Sequence, residues 1–368
     1  MAQRHTASDH PSPDHPSPDY SGSGIPGSGH PESEHPTSAH EALHDSGPGA
    51  PPGPPGRRAS RVGRLIVWAV TLVCFWILYT RVDAAAARNG QALVPYLADA
   101  LAGVNWLALI ALLIPYSGVF FLLDSVAVWR TVNWFNARVR YRDILPVRAS
   151  TYILSILNEQ VGKGAMALYL QRREGVPGWQ LGSSMLFLMF CEFYYLLGWA
   201  TLGWWLNGPS LPAVFDAIPA IGVGALVVFA ILHAYFRGLI LQGWRLRERP
   251  LLHAFRVARV QQYLIILAIK SPALLTAVVV YDVALGLFGV DLSLTQVLGL
   301  LPVIFFGAGV PGPMRAVAIT LWVVLLPEHA GAMAAFALVM HNFFILFNAA
   351  IGLVFLRRTQ RELFGQAV

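Results

Sequence analysis

Lysine is nearly absent from this chain: Lys163 and Lys270 are the only two among 368 residues, and arginine carries the rest of the positive charge. Charge of either sign is scarce, at 12% of residues, where an ordinary soluble domain has about 25%. A soluble globular fold, whose surface is built from charged side chains, is therefore excluded. Cysteine is limited to Cys74 and Cys191, both inside apolar segments, so neither a disulfide framework nor a paired-cysteine zinc site is available and both read as packing residues. The sequence also lacks a zinc-protease helix, a serine elbow and an aspartate-rich cation site. The pattern at "GKG" argues against an ATP-binding loop, because no Ser or Thr follows Lys163 and Leu157 stands where the motif needs its first glycine. The one acid/base set, Glu159, Lys163 and Glu192, selects no reaction, so no catalytic residue and no cofactor are assigned.

What is present is hydrocarbon. Hydrophobic residues make up 55% of the chain and the mean hydropathy is +0.54, the composition of an all-α polytopic membrane protein. Residues 1–60 stand apart: "DHPSPDHPSPDYSGSGIPGSGHPESEHPTSAH" has no periodic apolar residue and reads as a disordered cytoplasmic tail. Its histidines, from His10 to His44, recur about every five residues, but nothing fixes their geometry, so no metal site is assigned. The tail could instead recruit a cytoplasmic partner. No small-residue cleavage site follows the first apolar run, so that run is expected to be a span rather than a signal peptide. Residues 61–360 are then the transmembrane domain and 361–368 a short cytoplasmic end. The net charge of +6 lies in arginines flanking the spans, which marks cytoplasmic loops and not a nucleic-acid partner.

With about 20 residues needed to cross the hydrocarbon core, six full spans are predicted at 62–80, 104–129, 179–206, 214–236, 262–288 and 330–356. Two further apolar regions, 149–170 and 294–326, are broken by Gly162 and Gly164 and by "GAGVPGPMR". Arginine placement puts both termini inside and makes each broken region a re-entrant hairpin, the first entering from the cytoplasm and the second from outside. The alternative is eight spans, with the broken regions as kinked crossings. In the hairpin reading the two halves of the chain have opposite orientation, the inverted-repeat pattern in which paired interrupted segments mark a site near the midplane. Residues 90–103 are left as an external amphipathic connection.

Non-helical backbone at membrane depth must line a cavity or be buried in protein. Gly162 and Gly164 permit a turn with free amides beside Lys163; Pro311 and Pro313 interrupt the second hairpin just before Arg315. A cation beside a helix amino terminus suits an anion such as phosphate. Lys163, Arg315, Lys270, Asn158, Gly162 and Gly164 are thus the candidate ligand-binding residues, with Glu192 and Glu159 tuning charge or carrying a proton. The competing reading for Glu192 is a structural ion pair with Lys270 or Lys163. His341 is a secondary candidate; for it and Asn342 an interhelical hydrogen bond is favoured over ligand contact. Asp124, Asp282 and His233 are placed near span ends, where snorkelling explains them.

The succession "NEQVGKGAMALYLQRREGVP", "CEFYYLL" and "GVPGPMRAVAITLW" resembles the membrane domain of lysylphosphatidylglycerol synthases, a flippase-like family. Asn158, Gly162, Glu192 and Arg315 occupy matching places, while Gln160, Lys163, Met166 and Ala316 depart from the pattern. The resemblance spans residues 62–360. It implies a bacterial inner-membrane protein that handles a phospholipid or polyprenyl-linked lipid, without the soluble aminoacyl-transfer domain. The lysine that stands for a glutamate argues for a more anionic ligand than in relatives. The expected function is binding or translocation of an anionic, phosphate-bearing lipid. The alternatives are an intramembrane transferase acting on a lipid-linked substrate and a non-catalytic subunit of an envelope pathway.

Overall fold

The computed structural model describes residues 57–155, 166–172, 175–310 and 315–364. Among them there is no strand, and the chain is a bundle of twelve α-helices with short 3-10 turns. Six helical stretches are long and apolar enough to cross a membrane, and they begin at Trp68, Trp106, Gly178, Ala213, Val260 and Pro327. The helices that carry them are α1 (Arg57–Arg88), α3 (Trp106–Phe135), α6 (Gly178–Asn207), α7 (Ile218–Phe236), α9 (Val260–Leu287) and α12 (Ala330–Phe364). Residues 90–103, read as a connection, contain a further helix, α2 (Leu93–Ala102), packed on α1 and α12.

Both broken regions are pairs of short helices. The first is α4 (Tyr141–Ser155) and α5 (166–172), the second α10 (Leu294–Ala308) and α11 (Ala316–Leu325). None of the four is among the six candidate spans. α4 starts well before the predicted 149, because only Asn136 to Arg140 separate it from α3. α8 (His253–Val257) caps the connection between α7 and α9.

The largest helix interfaces reveal how the halves are related. α4 packs on α12, α10 on α6, and α3 on α9. Each half's hairpin thus lies against the other half's final span, and the two opening spans lie against each other, the arrangement a two-fold pseudo-axis produces. Sequence punctuation follows the same relation: Pro115 in α3 corresponds to Pro272 in α9, and "LPV" at Leu145–Val147 in α4 to "LPV" at Leu301–Val303 in α10. Six alternating crossings make α3, the second, and α9, the fifth, run in opposite directions.

Glycines allow the two hairpin contacts. A Cβ on Gly203 of α6 would collide with the backbone of Gly299 in α10, and one on Gly352 of α12 would collide with the Ala149 carbonyl of α4. Between membrane helices there is little hydrophobic gain, so close van der Waals contact of this kind drives association. Gly203→Val is expected to separate α6 from α10 and lower the thermal midpoint of the purified protein by several degrees. The same change at Gly224, which has open space around it, is expected to leave the midpoint within a degree or two. Equal midpoints for the two variants would show that the crossing contributes nothing.

Two aromatic clusters stiffen the bundle. Phe187 packs edge-on to Phe135 and Phe255 and tilted against Tyr263; Trp322 stacks on Tyr281 and meets Phe336 edge-on. Such pairs add about 0.5–1.5 kcal/mol each beyond area burial.

Candidate anion-binding cavity

α3, α4, α6 and α9 place four charged side chains together in the membrane interior. Asp124 of α3 is the hub. It accepts from Arg148 Nε of α4 at 2.6 Å, from Lys270 Nζ of α9 at 2.9 Å and from the Tyr152 hydroxyl at 3.1 Å. Lys270 also donates to Glu192 Oε1 of α6 at 2.5 Å, so one ammonium bridges two carboxylates from two helices. Arg148 lies over the Tyr152 ring, 4.6 Å from its centroid. Asp124, Arg148 and Lys270 have almost no exposed side-chain surface, while Glu192 retains 20%. Each of these charges would be costly alone in hydrocarbon, and their mutual hydrogen bonds make burial tolerable.

Glu192 and Lys270 form one wall of a cavity of about 400 Å³. Its sides are largely aromatic, with Tyr116, Tyr195, Tyr281, Phe305 and Phe344 among the lining residues. Arg315 completes the lining from the second hairpin. It is the N-cap residue of α11 and sits in the left-handed region at φ 52, ψ 39, which non-glycine residues seldom adopt. No hydrogen bond or ion pair partners its guanidinium among the described residues. A half-buried cation on strained backbone, facing an apolar space that also holds Lys270, is suited to receive an anion that carries an apolar body.

The structure therefore brings Lys270, Glu192 and Arg315 to one cavity. Lys163, Asn158, Gly162, Gly164 and Glu159 lie outside the described residues. His341 is fully buried in α12 with both ring nitrogens unpartnered among the described residues, and it does not line the cavity. The expected interhelical hydrogen bond is not formed there: Asn342 donates to Leu338 O of its own helix. Two residues were misplaced by sequence reasoning. Asp124 is not near a span end, since α3 continues to Phe135, and it accepts from Arg148, Lys270 and Tyr152. Arg148 belongs to the arginines after the second span whose placement marks the cytoplasmic side in the sequence, yet it is buried on α4. The missed signal was the Asp124–Arg148 pair itself, two opposite charges flanking a turn between helices that pack on each other.

Cys191 is a buried free thiol, as expected of a packing residue, whereas Cys74 is only half-buried. Among the described residues no three His, Cys, Asp or Glu side chains group to hold a metal ion.

These features define a multi-pass helical membrane protein with a charged cavity between two pseudo-symmetric halves. No protein-family model, curated protein or solved structure matches the chain.

Proposed function

We propose that this protein is flippase-like and binds, and carries between leaflets, a lipid with an anionic phosphate-bearing head group. The observation that supports it best is Arg315, a cation without a hydrogen-bond or ion-pair partner among the described residues, lining the same apolar cavity as the Lys270–Glu192 pair. An anionic head would be held by Arg315 and by Lys270, while Glu192 returns the Lys270 charge to balance when the site is empty. The pseudo-symmetric halves provide the usual basis for alternating access, with one half rocking on the other around a midplane site. The resemblance to the membrane domain of lysylphosphatidylglycerol synthases points the same way. The setting in this reading is the inner or plasma membrane with both termini cytoplasmic, which the arginine distribution supports.

Reconstitution with fluorescent phospholipids tests this reading. Wild-type protein is expected to accelerate leaflet exchange, and Arg315→Ala to return it to the rate of protein-free vesicles; unchanged exchange in the variant would refute the site. Sidedness is tested by introduced cysteines. Gln171→Cys, at the exposed end of α5, is expected to label from the cytoplasm, and His329→Cys, exposed between α11 and α12, from outside. Labelling of both from one side would remove the opposed-hairpin topology.

A further inference from the structure

Among the rings that line the cavity Phe306 stands apart, being 51% exposed where Tyr116, Tyr195 and Tyr281 are buried, so it lies where the cavity opens. Phe306 meets Phe193 edge-on, with ring centroids 5.5 Å apart, and Phe193 lines the same cavity. Depth decides what the exposed side faces. Phe193 is at the midpoint of the 30-residue helix α6. Phe306 lies about 18 Å along α10 from its start, at 1.5 Å per residue. Both rings therefore sit within the hydrocarbon, not at a water interface. The same two helices touch backbone to backbone at Gly203 and Gly299, so α6 and α10 are sealed at one level and bridged by two rings at another.

We propose that the Phe193–Phe306 ring pair is a lateral mouth of the cavity, through which an acyl-chained anion enters from the bilayer, its head moving to Arg315 and Lys270 while its tail stays between the rings. This rests on the anion-site reading above and specifies the source of the anion. A phosphate-bearing head could equally arrive as a water-soluble ester, and an opening onto acyl chains favours the lipid. Rings are fit for this position because they swing about χ1 and χ2 without breaking a hydrogen bond, and they present the same apolar surface to a tail whether open or closed.

The test uses full-length protein in a Cys74→Ser, Cys191→Ala background carrying Phe306→Cys, before and after reaction with a bulky maleimide. The probes are radiolabelled phosphatidylglycerol in mixed micelles and its deacylated head group, glycerophosphoglycerol, in water. The expected result is that labelling weakens phosphatidylglycerol binding by about ten-fold or more and leaves glycerophosphoglycerol binding within about two-fold. Phe193→Cys, labelled from the other side of the mouth, is expected to behave alike and guards against local misfolding of one variant. The proposal is overturned if labelled protein binds the lipid normally, if both probes are blocked equally, or if unlabelled protein binds only the deacylated head group. Failure of unlabelled protein to bind either probe overturns the anion site itself, and the mouth with it.

Discussion

Lys270→Met is expected to destabilise the protein by about 3–5 kcal/mol, the largest effect of any single substitution considered for this chain. The ammonium is the shared partner of Asp124 and Glu192, and methionine fills its volume without its charge. Two carboxylates would be left close together in the membrane interior without the ammonium they share, while Arg148 still reaches Asp124. Repulsion and lost hydrogen bonds then act in the same direction. The lost stability is expected to return in part in the Lys270→Met, Glu192→Gln double variant, because removing the second charge lets Arg148 and Tyr152 satisfy Asp124. Thermal unfolding in detergent, followed by tryptophan fluorescence, measures both. If the single variant melts with the wild type, the network is not the core of the fold.

Arg315→Gly is expected to behave in the opposite way, keeping the fold and losing the function. At φ 52 the arginine backbone pays for a conformation that glycine adopts freely, so the variant should be as stable as wild type or more stable by up to about 1 kcal/mol. Charge-assisted hydrogen bonds to an anion are worth about 1.5–3 kcal/mol, so its loss should weaken head-group binding by about 10- to 100-fold. A protein that is sturdier and inactive would show that Arg315 is held there for its charge. A variant that is both less stable and fully active would show that the left-handed turn is purely structural.

How much of this was legible in the sequence follows from the range of each interaction. Hydropathy is a local average, and it located all six long helices and the break between α10 and α11, while the turn expected at Gly162 and Gly164 lies outside the described residues. It misplaced helix ends, because α1 and α3 run on through "RVDAAAAR" and "VWRTVNWF", where buried residues such as Ala86 and Thr131 hold the helix through packing and backbone hydrogen bonds that hydropathy does not register. That error moved Asp124 to a membrane boundary. Arg148 was lost for a related reason: arginines were counted as markers of the cytoplasmic face, and a buried arginine violates that rule only when a partner from another helix neutralises it. The Asp124–Lys270 contact joins residues far apart in sequence, and nothing local announces it. Lys270 and Glu192 were legible because a charge within an apolar helix has few explanations, whichever partner it finds.

Native mass spectrometry of the protein released from membranes containing both zwitterionic and anionic phospholipid measures occupancy of the cavity itself. Wild-type protein is predicted to retain one anionic phospholipid under conditions that strip zwitterionic lipid, and Arg315→Gly to retain none. Equal retention of the anionic lipid by both proteins, or retention of zwitterionic lipid in its place, would contradict an anion site built on Arg315 and Lys270.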